Sequence, residues 1–211
     1  MEQRTDEWFA ARCGKVTGSR IADVIAKTKS GYAASRENYL VQLAVERLSN
    51  QPYQMTFSNS AMQWGTDTEP FARSNYENIT GELVDEIGFV NHPKIEMSGA
   101  SPDGLVGDKG LLEIKCPNTA THFEYIRKLE APKKYMPQMQ WQMACTEREW
   151  CDFMSYDPRA PEGLQSFLVR VPRDDKFISE LEQEVALFLE EVGAVAKEFN
   201  EIKHKTILLE I

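Results

Sequence analysis

The sequence predicts a mixed α/β fold: one domain, residues 1–211, with a central mixed β-sheet, flanking helices and a long C-terminal helix. Three observations predict it. Apolar residues recur at helical spacing in the first part of the chain. The middle changes to short apolar runs separated by Pro, Gly and Asp turns. Residues 174–199 then carry Phe177, Leu181, Val185, Phe188, Leu189, Val192, Val195 and Phe199 every three or four positions, the pattern of one amphipathic helix. No linker or internal repeat divides the chain.

In order, TDEWFAARCG predicts a short helix capped by Asp6 or Thr5, with Trp8, Phe9 and Ala11 inward and Gly14 as the stop. Ser19 is a candidate N-cap for a second helix with Ile21, Val24 and Ile25 inside. Residues 35–49 fit a third, burying Tyr39, Leu40, Leu43, Ala44 and Leu48. QPYQMTFSNS reads as a loop. A helix follows from about Thr66 to Ile79, ended by Gly81, with Pro70 near its first turn. LVDEIGFV, the stretch from Met97 to Ala100, and LLEIK read as strands. Pro117 and Asn118 open a helix through Leu129, and residues 133–146 form another, with Tyr135, Met139, Gln142 and Met143 at helical spacing. WCDFMSYD and SFLVRV complete the strands.

Composition narrows the function classes. Apolar residues make up 42% of the 211, so the chain is expected to fold and remain soluble. The polar, acidic start predicts no signal peptide, and no apolar run reaches membrane-spanning length. Cys13, Cys116, Cys145 and Cys151 form no CxxC pair, which fits reduced cytosolic thiols. The three histidines are far apart in sequence, so a zinc site is not expected. The net charge of −9 argues against coating nucleic acid with the whole surface. The charge is uneven, however. From Arg4 to Arg36 there are seven basic residues (Arg4, Arg12, Lys15, Arg20, Lys27, Lys29, Arg36) against three acidic ones. From Asp174 to Asn200 acidic residues outnumber basic ones eight to two. One end could meet phosphate while the other faces solvent or a partner.

The chemistry concentrates in SPDGLVGDKGLLEIKCP, residues 101–117. Strand alternation puts Glu113 and Lys115 on one side and Ile114 on the other. If Leu105 and Val106 pair with Leu111 and Leu112 through the GDKG turn, Asp103 lies across from the LEIK strand. Two carboxylates and a lysine would then converge, with the Ile114 carbonyl as a further oxygen. Such a hard ligand set suits Mg²⁺ or Mn²⁺. The plainer reading is a hairpin with charges on its wet face. Against it, the charges sit in an otherwise apolar strand, where they are costly unless paired or metal-bound.

Pro102-Asp103, a spacer, then Glu113-Ile114-Lys115 resembles the pattern of PD-(D/E)xK nucleases. The fuller ASPDGL and LEIKCP resemble the lambda-type phage alkaline exonucleases, the YqaJ-like viral recombinases. Four further landmarks resemble that family in order: Trp8, Arg12, Thr17 and Ser19; Trp64, Gly65 and Glu69; YMPQMQ with Gln138 and Gln140; and YDPR at Tyr156 to Arg159. The similarity covers about residues 4 to 172. It implies a restriction-endonuclease-like core and a metal-dependent 5′→3′ exonuclease. That enzyme would degrade the 5′-phosphorylated strand of linear duplex DNA and leave 3′ single strands for recombination. Asp103, Glu113 and the Ile114 carbonyl would be metal ligands. Lys115 would be the catalytic lysine, Glu69 an additional acidic residue, and Gln138 the residue that positions the water or the scissile phosphate. Arg12, Ser19 and Ser101, with Thr17 beside them, would hold the 5′ phosphate. The family also implies a homotrimeric ring around DNA, lined by the basic N-terminal region, a single-strand annealing partner, and a phage or prophage protein in the bacterial cytoplasm.

Each residue also has a plainer reading. Arg12 could pair with Asp6 or Glu7, Glu69 could favour a helix dipole, Gln138 and Gln140 could be exposed, and Ser19 could be only a cap. Other readings of the whole chain are a different PD-(D/E)xK nuclease (an endonuclease or a Cas4-like enzyme), a non-catalytic DNA-end-binding protein, and an interaction module.

Overall fold

The computed structural model describes residues 1–53 and 60–206. Most of the predicted loop QPYQMTFSNS lies outside them. The chain opens with α1 (Asp6–Arg12), whose Thr5 cap accepts from the Trp8 N–H. β1 (Val16–Thr17), a 3₁₀ turn (Gly18–Arg20) and α2 (Ile21–Val24) follow. Then come β2 (Lys27–Thr28), β3 (Gly31–Tyr32), α3 (Ala34–Ser49) and α4 (Ser60–Thr80). The middle holds β4 (Val84–Asp85), β5 (Val90–Asn91), β6 (Ser98–Ala100), β7 (Gly104–Val106) and β8 (Gly110–Lys115). The rest is α5 (Thr119–Lys128), α6 (Met136–Thr146), β9 (Trp150–Tyr156), β10 (Ser166–Pro172) and α7 (Asp175–Thr206).

The main sheet runs β10-β9-β8-β7-β4 and is mixed: β8 and β9 are parallel, the other pairs antiparallel. A smaller sheet, β1-β6-β5, stands beside it. Alternation along β8 sends Leu112 and Ile114 to one face, where they pack with Ala72 and Tyr76 of α4 and Met154 of β9. It sends Leu111 to the other, against Tyr125 of α5, Met139 and Met143 of α6, and Phe153. The opposite side of α6 joins a third cluster, where Trp141 and Cys145 meet Ile21, Leu43, Val185 and Phe188 of α2, α3 and α7. α6 is thus covered on both sides, which buries Gln140 and Gln142 along with its apolar residues.

Several expectations need correction. Phe9 and Leu48 are not inward but 45% and 38% exposed. α1 buries no residue at all. In α3 the inner face instead takes in Arg36 and Glu46, each held by specific partners. Ser19 is not an N-cap: it is exposed in the 3₁₀ turn, and α2 starts after Arg20 with no side-chain cap. Pro70 lies in the interior of α4, because the helix already begins at Ser60. Its missing N–H costs about 3 kcal/mol in a helix interior, which burial of Thr68, Ala72 and Tyr76 can offset. LVDEIGFV is two short strands in different sheets rather than one. The last helix runs to Thr206, beyond the expected Phe199.

Candidate active site

The predicted hairpin is present. Gly104, Leu105 and Val106 pair with Leu112, Leu111 and Gly110 across the turn at Gly107, whose φ is +50°. The Arg148 guanidinium holds that turn by donating to the carbonyls of Gly107 and Gly110, both at 2.7 Å. Gly104 has to be glycine, since a Cβ there would overlap the Val84 side chain. Continuing the register sets Asp103 opposite Glu113, so their side chains share a face with Lys115. The Ile114 N–H donates to Asp103 Oδ2 at 2.7 Å. In an antiparallel ladder a residue's N–H and C=O face the same neighbour, so the Ile114 carbonyl is directed to the Asp103 side as well.

Glu113 is fully buried and Lys115 is 26% exposed at its side chain. The Lys115 ammonium pairs with Glu113 Oε1. From α6, Gln138 Nε2 donates to Glu113 Oε1 and Gln142 Nε2 to Glu113 Oε2, each at 2.7 Å. One ammonium thus faces two carboxylates. Burial first, and then the negative charge of Glu113, push the Asp103 carboxyl well above its ordinary value. Burial opposes the charge on Lys115, but Glu113 and Asp103 outweigh it and raise its pKa. Lys115 therefore stays an ammonium. Among the described residues no three His, Cys, Asp or Glu side chains group as a metal cluster. The residues nevertheless fit a hard cation: an all-oxygen set of two carboxylates and a carbonyl, short of positive charge, with water to fill the remaining positions.

Glu69 borders this group closely enough to raise the Asp103 pKa. Its carboxylate is engaged, with Arg4 at 2.6 Å and Arg73 at 3.2 Å. Arg73 also reaches Glu86 at 2.7 Å and the Asp103 carbonyl at 3.5 Å. Gln138 is not merely an exposed helix residue. Gln140 is buried but serves elsewhere, bonding the Pro172 carbonyl and the Asp174 N–H at 2.8 Å each.

A second group lies beside the first. Arg12, Thr17 and Ser19 line a cleft of about 320 Å³ together with Trp8, Lys15 and Arg20. The Arg12 guanidinium stacks 3.8 Å from the Trp8 ring centroid and donates to Ser101 Oγ at 3.3 Å. Trp8 Nε1 donates to the same oxygen at 2.9 Å. Arg12 does not pair with Asp6 or Glu7. Among the described residues it makes no ion pair, and burial lowers its pKa to about 10. Ser101 and Asp103 are two residues apart, so about 7 Å at most separates their Cα atoms. The cleft and the acidic group therefore adjoin.

The rest of the N-terminal positive charge is largely spent. Arg4, Arg20, Lys27 and Arg36 pair with Glu69, Asp23, Glu184 and Glu191. Among the described residues Arg12 and Lys15, which line the cleft, make no ion pair with a carboxylate, and Lys15 instead donates to Asn91 Oδ1 at 2.8 Å. Sequence reasoning also missed Trp8, Arg73 and Gln142 as parts of the site. The spacing of Gln138 and Gln142, one helical turn apart, was the available signal for the last.

A family model described as the YqaJ-like viral recombinase domain matches residues 7–149. Among solved structures, an alkaline exonuclease, LHK-Exo from Laribacter hongkongensis, is 51% identical over 96% of this chain and 100% of its own, with a TM-score of 0.88. LHK-Exo in complex with dAMP aligns at 52% identity over the same shares, with a TM-score of 0.89. A phage-related exonuclease from Haemophilus somnus 129PT shares the fold at 17% identity, covering 88% of this chain and 96% of its own, with a TM-score of 0.71. No curated protein matches the chain. Among the described residues no helix is long and apolar enough to cross a membrane.

Proposed function

The chain belongs to the YqaJ-like viral recombinase family and is a DNA nuclease; from that premise we propose that it is a metal-dependent 5′→3′ exonuclease acting on the 5′-phosphorylated strand of linear duplex DNA. The observation that carries this reading is the adjacency of a cleft holding the half-buried Arg12, without an ion pair among the described residues, to a carboxylate pair short of positive charge. A terminal phosphate carries up to about two negative charges and three acceptor oxygens, more than an internal phosphodiester. The Arg12 fork and the hydroxyls of Ser101, Thr17 and Ser19 suit it. The scissile bond then falls near Asp103, about one nucleotide away. That a relative was crystallised with dAMP, a mononucleotide, supports stepwise release of single nucleotides.

Asp103, Glu113 and the Ile114 carbonyl would hold Mg²⁺ or Mn²⁺. When bound, the ion polarises the phosphate and acidifies a water. Gln138 and Gln142 keep the Glu113 carboxylate in one orientation. Lys115, paired with Glu113 at the mouth of the site, orients the attacking water and balances charge on the phosphate. Gln138 lies within reach of the same oxygen of Glu113 as Lys115 and positions water or phosphate beside it. Glu69 acts from the border, tied to Arg4 and Arg73.

Residues 1–211 would act as one nuclease domain in a homotrimeric ring in the bacterial cytoplasm. The ring would prepare 3′ single strands for an annealing protein in phage-type recombination. The exposed Phe71 and Ile79 of α4 and Leu83 just beyond it offer apolar surface for a subunit contact.

The deciding assay uses Mg²⁺ with linear duplexes bearing 5′-phosphate or 5′-hydroxyl ends and a closed circle. Degradation of the 5′-phosphorylated strand, absent with Lys115→Ala, is expected. Cutting of the circle would favour an endonuclease of the same superfamily. Binding without cleavage would favour an end-binding protein. A monomeric mass in solution would exclude the ring.

A further inference from the structure

We propose that Gln142 is a positioning residue for the divalent-ion site: it holds the second oxygen of Glu113 while Gln138 and Lys115 hold the first. The inference rests on the reading of Asp103 and Glu113 as ion ligands.

Three observations support it. Gln142 is 1% exposed, and its Nε2 lies 2.7 Å from Glu113 Oε2. Its own Oε1 is buried without a hydrogen-bond partner among the described residues. A buried acceptor with no donor is unfavourable, so this amide is a poor choice for stability alone. An apolar side chain of the same length would leave nothing of its own unsatisfied, but it would take from the buried Glu113 Oε2 its donor, so the amide is kept for what it does to Glu113. The side chain is also held in place from behind. A Cβ on Gly18 would meet Gln142 Cγ at 3.8 Å and Ala100 Cβ at 3.2 Å, so the stem of Gln142 packs directly on the 3₁₀ turn that carries Ser19. One glutamine thus touches the scaffold of the Arg12 cleft at its stem and the acidic group at its head.

The physical role follows. A carboxylate fixed at both oxygens keeps one rotamer and one orientation. An ion then binds without first ordering its ligand. Gln138 and Lys115 bond only Oε1 and leave rotation about the last side-chain torsion open. Gln142 closes it. Gln140 supplies a control two residues away. It is equally buried on the same helix, but its bonds go to Pro172 and Asp174 and touch neither group.

The test compares the full-length wild type with Gln142→Met, Gln142→Asn and Gln140→Met. Mn²⁺ binding is followed by electron paramagnetic resonance of the free ion, melting is recorded without added metal, and kcat and KM are measured on 5′-phosphorylated duplex. Gln142→Met is expected to weaken Mn²⁺ binding about 10-fold or more and to lower kcat with KM for DNA unchanged. Loss of the donor to the buried Glu113 Oε2 should also lower its melting temperature. Gln140→Met is expected to melt lower and bind Mn²⁺ as the wild type does. Wild-type Mn²⁺ affinity in Gln142→Met overturns the inference, and so does an equal loss in Gln140→Met. If Gln142→Met does not fold, Gln142→Asn decides the ion-binding claim by the same measurement. A wild type that binds no Mn²⁺ overturns the divalent reading and this inference with it.

Discussion

Two buried carboxylate sites stand on neighbouring strands of the main sheet, and they are built differently. On β9, Asp152 sits opposite Leu112 of β8 and is 3% exposed. Arg170 grips both its oxygens, at 2.8 and 2.9 Å, and the Tyr76 hydroxyl donates at 2.8 Å. Charge is balanced one to one. On the β7–β8 hairpin, Asp103 and Glu113 share one lysine, and Asp103 is pushed towards its protonated form. The first site is complete without a ligand. The second, with one ammonium for two carboxylates, has room in its charge balance for the cation proposed above. Burial alone therefore marks neither as functional; the charge left unbalanced does.

The largest expected effect tests that contrast at the hairpin. Lys115→Ala or Asp103→Asn should each lower nuclease activity by about 10²–10⁴-fold, measured on 5′-phosphorylated duplex, with the fold intact by circular dichroism. Next, Arg12→Gln removes a charge-assisted contact worth about 1.5–3 kcal/mol. The preference for 5′-phosphate over 5′-hydroxyl ends should fall about 10-fold or more, read from initial rates. The Asp152 site should behave oppositely. Arg170→Met leaves a buried acceptor without its partner and should cost about 1–3 kcal/mol by urea unfolding, with activity per folded molecule unchanged. Equal loss of activity in both sets would erase the distinction.

A smaller effect concerns pH. The folded Asp103 pKa is raised above the ordinary 3.8. The folded state therefore holds a proton that the unfolded state releases, and stability falls as pH rises from 3.8 through the folded value. Asp103→Asn should flatten that part of the stability profile and gain about 1 kcal/mol above it. Added Mg²⁺ should stabilise the wild type there and not the variant. A wild type and variant with parallel profiles would contradict the charge imbalance. Smallest, Tyr76→Phe should cost about 1 kcal/mol and leave cleavage untouched.

Much of the hairpin was legible because it is local. A turn between two short apolar runs, with period-two alternation, already puts Glu113 and Lys115 on one face and Asp103 across from them. The same locality made α5 readable: Asn118 caps it and Leu129 ends it in the left-handed conformation. The failures share the opposite property. Phe9 and Leu48 match an inward helical pattern, yet each keeps more than a third of its surface exposed. Pro70 seemed to mark a helix start because its cost was weighed without the contacts of Ala72 and Tyr76. Two cations of the basic N-terminal stretch, Lys27 and Arg36, are taken by Glu184 and Glu191, more than 150 residues away.

Gln140 and Gln142 show the division most sharply. By itself the sequence determined that an Asp, a Glu and a Lys would meet at a tight hairpin, since strand geometry repeats every two residues. It also determined that residues 133–146 would form a helix. Only the tertiary structure decided which glutamine of that helix turns to Glu113 and which to Pro172. It alone decided that Arg12 keeps its charge unpaired. Those outcomes depend on which distant surfaces cover each side chain, and desolvation and pairing are set by all the neighbours at once.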